Sequence, residues 1–195
     1  MIEFFTPTGI KPRLAHPQER YTFQPGVNLL VGANGAGKSS LLYAMKPSNN
    51  KKENLAEVDL VKGSEKVSCL FFDFEKENPR TTTMETMMMQ DRYNFSNMVA
   101  RLNSQFISHG ECQKATLRTI FRDCGDSVLF LDEPEQALDH GGITLLKNLL
   151  GEASAPQVII ATHSPYLILE PTYHVIELTP GHCMQVRAAL QPLLS

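Results

Sequence analysis

The sequence has no tryptophan, few cysteines and no marked excess of either charge. Its four cysteines are scattered without CxxC spacing, which favours reduced, mostly buried thiols over disulfides or a zinc site. The net charge of −3 does not require a nucleic-acid partner. No apolar run approaches the roughly 20 residues that span a bilayer, and the N-terminal stretch lacks the features of a secretory signal. We therefore expect a cytoplasmic protein without a membrane partner.

Composition and length predict one globular domain over residues 1–195. Apolar residues make up 42% of the chain and charged residues 20%, a balance typical of globular proteins. The apolar runs at 127–133 and 157–165 resemble buried strands, and the stretch GGITLLKNLLGEA between them has helical spacing. Because parallel strands are joined by helices, this pattern predicts an α/β fold with a mostly parallel central sheet. Further strands are predicted at 27–31, 67–75 and 173–178.

The remaining segments have weaker patterns. Residues 48–65 are polar without clear periodicity, which predicts a surface excursion. Residues 84–106 are compatible with a helix, and Gly110 predicts a turn before a second helix. We expect a small helical lobe, approximately residues 76–123, inserted into the sheet domain. The methionine-rich stretch at 84–90 is either adaptable core filling or a docking patch on that lobe.

Residues 32–39, here called the phosphate loop, read GANGAGKS and fit the pattern G-x-x-x-x-G-K-[ST] between a strand and a helix. Glycines let successive backbone N–H groups curl around phosphate oxygens, and the N-terminus of the helix adds partial positive charge. Lys38 is expected to reach the β- and γ-phosphates, and Ser39 to ligate Mg²⁺. The residues predicted to hold the nucleotide are Asn34, Gly35, Ala36, Gly37, Lys38, Ser39 and Ser40.

Two adjacent carboxylates, Asp132 and Glu133, end the apolar stretch VLFLDE and are here called the acidic pair. Asp132 is expected to hold Mg²⁺, and Glu133 to polarise an attacking water as the catalytic base. Adjacent carboxylates at a buried strand end repel each other unless a cation is near. A plain strand terminus is the alternative, but the pair beside a phosphate loop predicts hydrolysis of the nucleotide.

Four stretches follow one another along the chain: VNLLVGANGAGKSSLL, SHGE, LFLDEPEQALD and IIATHSP. They resemble the motifs of ATP-binding-cassette (ABC) ATPases, in the soluble branch that includes SMC-type, RecF-like and OLD-type proteins. The similarity extends over nearly the whole chain, and the order of the motifs is far more specific than any one of them. The resemblance implies a compact single-head P-loop NTPase of the ABC type. It also implies a head-to-tail homodimer with ATP and Mg²⁺ at the interface.

The stretch SHGE (108–111) resembles the signature turn of that family. The resemblance implies that Ser108, Gly110 and Glu111 face the ATP of the partner copy, with Ser108 and the Gly110 N–H binding its γ-phosphate. A lone S-x-G-E would be uninformative, since serine caps followed by a carboxylate are common at helix starts. Its place between the phosphate loop and the acidic pair favours the functional interpretation. His109 replaces a frequent glycine and is either a partner contact or a tolerated surface side chain.

The resemblance assigns roles to two further residues. Asp139, in the D-loop ALD (137–139), would lie near the dimer seam and the opposing site. His163, in ATHSP, would act in catalysis by hydrogen-bonding the γ-phosphate and helping to hold the attacking water. An imidazole suits this role because it can donate to phosphate while neutral, and a nearby phosphate favours its protonated form.

Two expected parts have no clear counterpart. The family's Q-loop glutamine should follow CLFFDFE, but Asp73, Glu75 and Asn78 stand there, with Glu75 as the candidate substitute. Tyr21 and Phe23 precede the phosphate loop, yet core packing explains them better than adenine stacking.

The motifs predict an ATPase that converts ATP and water into ADP and phosphate. Its two copies would close around ATP and open after hydrolysis, driving or gating a partner. The resemblance suggests DNA repair, recombination or phage defence beside an effector or nuclease chain, with DNA contact by analogy only. Two alternatives remain open: a dimerisation or signalling module with slow turnover, and the nucleotide-binding subunit of a transporter. Glu111 and the aberrant Q-loop argue against the transporter.

Overall fold

The computed structural model describes residues 1–7, 15, 20–45, 56–60, 68–74 and 108–193, which form two β-sheets and the helices packed on them. The strands are β1 (Ile2–Pro7), β2 (Tyr21–Thr22), β3 (Gly26–Val31), β4 (Ala56–Leu60), β5 (Cys69–Asp73), β6 (Val128–Asp132), β7 (Gln157–Ala161) and β8 (His174–Glu177). Five of them form a sheet in the order β5-β6-β7-β3-β8, and every neighbouring pair is parallel. This sheet confirms the predicted α/β class with a mostly parallel centre.

A second sheet is antiparallel and has the order β2-β1-β4. Strand β4 corrects the prediction that residues 48–65 are only a surface excursion. Its sequence AEVDL alternates apolar and acidic residues, and it pairs with β1 from Leu60 opposite Ile2 to Ala56 opposite Pro7. The partner strand lies about 50 residues away in sequence, so the five residues of β4 alone do not predict a strand. The rest of that segment, 48–55 and 61–65, lies outside the described residues.

The helices are α1 (Lys38–Ala44), α2 (His109–Asp123), α3 (His140–Gly151), α4 (Pro165–Ile168) and α5 (His182–Leu190), followed by a 3₁₀ turn over Gln191–Leu193. Helix α2 begins at His109, so Gly110 lies in its first turn and not in a turn before it. Ser108 explains the earlier start, because its Oγ accepts a hydrogen bond of 3.2 Å from the Glu111 N–H and caps the helix. The predicted helix at 84–106, and most of the predicted lobe, lie outside the described residues.

The parallel sheet is buried on both faces, as its apolar runs predicted. One face, with Leu30, Phe130 and Ile159, packs against α1 and the antiparallel sheet. The other, with Leu29, Leu131 and Ile160, packs against α2, α3 and α4. Successive residues of each strand therefore point into opposite cores, which is the period of two that a strand imposes. Among the described helices, none combines the length and apolarity that a bilayer span requires.

The order of the strands determines which of the segments that follow them lie side by side. Strand β7 lies between β3 and β6, so the phosphate loop after β3 and the acidic pair at the end of β6 flank the segment that follows β7. All three strands run parallel, and their carboxyl ends share one edge of the sheet. Ligands of open parallel sheets bind at this edge, so it is the candidate functional site.

Candidate functional site

The phosphate loop bends sharply between β3 and α1. Gly35 and Gly37 have φ values of 79° and 97°, in the left-handed region that favours glycine, and Gly37 is the N-cap of α1. The Lys38 ammonium lies back over the loop, 3.1 Å from the Gly32 carbonyl oxygen and 3.4 Å from that of Ala33. Lys38 is buried, so its charge is held inside the loop and close to the N-terminus of the helix. This arrangement suits a polyphosphate anion.

The first turn of α1 touches the acidic pair. The Ser39 hydroxyl donates a 2.9 Å hydrogen bond to Asp132 Oδ1. A hydroxyl and a carboxylate at this spacing are hard oxygen ligands of the kind that Mg²⁺ prefers, so the residues fit the metal. No group of three or more His, Cys, Asp or Glu in the described part of the chain could hold a metal ion. A magnesium ion here would therefore share its coordination with phosphate and water, as is usual for Mg²⁺ beside nucleotides.

A second carboxylate lies beside the first. Asp73 ends β5 in register with Asp132 of β6, so the two side chains leave adjacent parallel strands on the same face. Tyr43, one helical turn after Ser39, donates a hydrogen bond from its hydroxyl to Asp73 Oδ2. Two hydroxyls of α1 thus hold two buried carboxylates at the sheet edge. In the sequence, Asp73 is notable only because it lies where the Q-loop glutamine is expected. The other two residues of that stretch, Glu75 and Asn78, lie outside the described residues.

The start of the phosphate loop is held by the turn between β8 and α5. Thr179 Oγ1 accepts a 3.1 Å hydrogen bond from the Ala33 N–H. A Cβ at Gly32 would lie 3.0 Å from the same oxygen, a tight contact that glycine avoids. Glu177 holds the turn in place, since its carboxylate accepts from the N–H groups of Gly181 (2.7 Å) and Cys183 (3.0 Å). Burial, followed by the bond to Glu177, raises the pKa of the Cys183 thiol to about 12, so this thiol stays protonated near neutral pH.

Thr179→Val is expected to weaken ATP binding about three- to tenfold, because the Ala33 N–H loses its acceptor and the loop start loosens. Thr179→Ser keeps the hydroxyl and is the matched control, expected to bind within about twofold of wild type. Titration calorimetry with Mg-ATP measures both. Equal affinities for Thr179→Val and wild type would show that the loop keeps its shape without this contact.

The candidate catalytic residues approach each other across β6 and β7. Glu133 has a φ of 50°, which turns its backbone off the strand, and its N–H donates 2.9 Å to the Ala161 carbonyl. Glu133 Oε1 lies 3.4 Å from His163 Nδ1. About a third of the Glu133 side chain and half of the His163 side chain are exposed, so both are open to a ligand at this edge. A non-glycine residue in the left-handed region is uncommon and often marks a functional site.

The signature turn (108–111) packs directly on the D-loop (137–139). A Cβ at Gly110 would lie 2.9 Å from the carbonyl oxygen of Ala137, whose own φ is 58°. Gly110 therefore has a steric reason to be glycine within its own subunit, in addition to the phosphate role that the motif predicts. Asp139 caps α3 by accepting a 2.7 Å hydrogen bond from the Gly142 N–H.

Lys114 joins the same two segments electrostatically. Its Nζ lies 2.8 Å from Glu111 Oε1 and 3.2 Å from Asp139 Oδ1, and its side chain is only 15% exposed. The bonds from the Gly142 N–H and then from Lys114 lower the pKa of Asp139. Hydrogen bonds to Glu111 and then to Asp139 raise the pKa of Lys114. Asp139 and Lys114 are thus charged at neutral pH, and the ion pair that joins the D-loop to helix α2 is present there.

The predicted site residues fall into two groups. The first surrounds the phosphate loop and the sheet edge: Asn34, Gly35, Ala36, Gly37, Lys38, Ser39, Ser40, Asp132, Glu133 and His163. The second joins the signature turn to the D-loop: Ser108, Gly110, Glu111 and Asp139. Asn34 and Gly35 are exposed at the loop tip, whereas Ala36 is buried beneath it. Tyr21 and Phe23 are buried in the core, as expected for packing residues.

Sequence reasoning missed four contributors to the site: Tyr43, Lys114, Glu135 and Thr179. Lys114 could have been found, because three residues after Glu111 on a helix is the spacing of an ion pair. Tyr43 follows Ser39 by four residues and so lies on the same helix face. No nearby sequence pattern indicates a role for Thr179, since its partner in the phosphate loop lies 146 residues away in sequence. Glu135 lies two residues after Glu133, but its partners come from the segment that follows β7.

Comparisons with known proteins place the chain among relatives named for ATP binding and ATPase activity. Residues 90–170 match the family described as "AAA domain, putative AbiEii toxin, Type IV TA system". A Pyrococcus furiosus protein provisionally named ABC transporter ATP-binding protein is 26% identical over 188 residues, with 82% of this chain and 72% of the relative covered. A Pyrococcus horikoshii protein of the same provisional name is 27% identical over 191 residues, with 83% and 72% covered.

A shorter match concerns a DNA-repair protein. Over 57 residues the chain is 39% identical to the DNA double-strand break repair Rad50 ATPase of Archaeoglobus fulgidus, covering 26% of this chain and 6% of the relative. These similarities, together with the order of the motifs, support an ABC/SMC-like P-loop ATPase.

Proposed function

We propose that the chain binds Mg-ATP at the phosphate loop, hydrolyses it with Glu133 as general base, and pairs head-to-tail with a second copy that completes each site. The observation that carries the proposal is the meeting of the phosphate loop, the acidic pair and His163 at one sheet edge. A residue constellation that joins an anion cradle to a carboxylate and an imidazole suits phosphoryl transfer to water.

Each residue has a defined task in this scheme. Lys38 would exchange its loop carbonyls for the β- and γ-phosphate oxygens, with backbone N–H groups of the loop around them. Glu133 would accept a proton from the attacking water, and His163, 3.4 Å away, would hold that water and the γ-phosphate in line. Mg²⁺ bound by Ser39 and Asp132 would neutralise charge that develops on the phosphates.

The second copy is proposed because one subunit leaves part of the predicted site unused. Ser108 and Asp139 are exposed, and the contacts of Gly110 and Lys114 hold them on one rigid surface. A helix start that carries Ser108 as its cap adds partial positive charge to that surface, which suits the γ-phosphate of a facing copy. ATP would then be the contact that closes the dimer, and its hydrolysis would release it.

The process that the dimer drives is proposed from relatives. The name of the Archaeoglobus relative favours DNA repair. A nuclease or other effector as partner is proposed from the resemblance of the motifs. The names of the two Pyrococcus relatives favour the nucleotide-binding subunit of a transporter as second candidate. Affinity purification distinguishes them: a membrane protein that co-purifies stoichiometrically supports the transporter, and a soluble effector supports the repair or defence role.

Mixing two inactive variants tests the shared site. Lys38→Ala damages the phosphate loop, whereas Ser108→Asp keeps a helix cap but places a negative charge against the partner's γ-phosphate. Each variant alone should release almost no phosphate. A mixture should recover activity well above that of either variant alone, because each mixed dimer holds one intact site.

Ser108→Asn is the control for that experiment, since asparagine caps a helix as well as aspartate but carries no charge. It should retain more activity than Ser108→Asp. A mixture no more active than its two components would rule out the shared site. A wild type that releases no phosphate above the Lys38→Ala background would rule out hydrolysis itself.

A further inference from the structure

Glu135 is a buried carboxylate in the turn after the acidic pair, and no step proposed above uses it. Only 6% of its side chain is exposed. Its Oε1 accepts three hydrogen bonds from consecutive residues of the segment after β7, here called the switch loop (162–164). The donors are Thr162 Oγ1 at 2.5 Å, the His163 N–H at 3.1 Å and the Ser164 N–H at 3.2 Å.

A single oxygen that receives three donors fixes the switch loop against the turn that carries Glu133. That turn is itself well held, since the Gln136 N–H donates to the Glu133 carbonyl (3.0 Å) and the Leu138 N–H to that of Glu135 (3.1 Å). In contrast, the side chains of Glu133 and His163 are partly exposed. Their separation depends on the backbones that bear them, and Glu135 joins those backbones.

The second oxygen of Glu135 points to a role beyond stability. Among buried side-chain polar atoms of the described residues, Glu135 Oε2 is the one without a hydrogen-bond partner. A buried acceptor without a donor costs free energy, so packing alone disfavours a carboxylate here. The ring of His163 lies beside the same carboxylate, with its Nδ1 3.8 Å from Glu135 Oε1. Local violations of this kind concentrate at functional sites.

We infer that Glu135 is a positioning residue, which holds the switch loop so that His163 stands beside Glu133 and the γ-phosphate. The inference rests on the proposed ATPase function and adds a residue to it. Glu135 itself touches neither the phosphate nor the attacking water in this scheme. It acts through His163, by the hydrogen bonds to residues 162–164.

Glu135→Met tests the inference because methionine fills a similar volume but accepts none of these bonds. We expect kcat for ATP hydrolysis to fall about 30- to 100-fold, since small misplacements of catalytic groups cost this much, with KM changed less than about threefold. Glu135→Gln keeps one acceptor oxygen and should recover at least about tenfold of the lost rate. Equal rates for the two variants, or a rise in KM that accounts for the whole loss, would overturn the inference.

A double-mutant cycle with His163→Ala separates positioning from general structural support. If Glu135 acts through His163, adding Glu135→Met to His163→Ala should lower kcat by less than about threefold further. Two losses that multiply would mean that Glu135 acts independently of His163, which contradicts the inference.

Hydrogen exchange of the His163 amide provides a readout that needs no turnover, because this N–H donates to Glu135 Oε1, whereas the Ser164 N–H also donates to Thr162 Oγ1. The His163 amide should be protected in wild type and in Glu135→Gln, and exposed to exchange in Glu135→Met; retained protection in Glu135→Met overturns the inference, even for a wild type without ATPase activity. If Glu135→Met does not fold, Thr162→Val replaces it. That variant removes one donor and should cost about three- to tenfold in kcat, with Thr162→Ser as the matched control near wild type, and a Thr162→Val rate equal to wild type counts against the inference.

Discussion

Replacing Glu133 with glutamine is expected to lower the rate of ATP hydrolysis about 100- to 1,000-fold while leaving ATP binding intact. The amide keeps the size of the side chain and can still face His163, but it cannot take a proton from water. The proposed ATP-bound dimer should therefore accumulate. Steady-state phosphate release measures the first effect, and sedimentation with Mg-ATP measures the second as a particle of twice the monomer mass.

Glu152→Gln is the matched control, because Glu152 is exposed at the end of α3 and its backbone N–H bonds only the end of that helix. It should leave both hydrolysis and sedimentation as in wild type. Turnover by Glu133→Gln at the wild-type rate would assign the base to another group. A monomer in Mg-ATP and in Mg-ADP alike would contradict the closed dimer.

Replacing Lys38 with alanine is expected to weaken ATP binding about 100-fold or more, because a charged donor to phosphate is worth several times a neutral one. Lys38 is buried, and its ammonium has carbonyl partners within the loop, so it is already oriented before a ligand arrives. Titration calorimetry gives the dissociation constant directly. The same variant should not sediment as a dimer in Mg-ATP.

Lys38→Arg tests whether charge alone accounts for the effect. The guanidinium is planar and larger than an ammonium, so it should recover only part of the affinity in so tight a loop. Affinity equal to wild type in Lys38→Ala would mean that nucleotide binds elsewhere on the chain.

Local sequence predicted the parallel sheet and the motif positions well because both are encoded over short stretches. The phosphate loop needs its glycines at Gly35 and Gly37, and a buried strand needs a continuous apolar run, so either can be read from a few residues. Strand β4 was missed because its pairing with β1 joins residues far apart in sequence. A pattern of five residues cannot reveal a partner strand that it does not contain.

The residues of the candidate site also divide into those that a local motif predicts and those that it does not. Ser39 and Asp132 could be assigned together because each belongs to a motif with a known spacing, and the structure brings their side chains to 2.9 Å. Glu135 and Thr179 belong to no motif, and each contributes through bonds to a distant segment. Such supporting contacts depend on the order of strands in the sheet, which residue spacing does not encode.

The contact of Gly110 with the Ala137 carbonyl has a consequence for signalling between two copies. The two backbones approach so closely that an added Cβ would clash, and the Lys114 ion pairs join the same two segments. We therefore expect a displacement of Ser108 to be passed on to Asp139. In the proposed dimer, the signature turn and the D-loop of one copy would then change position together, so the facing copy would respond to both at once.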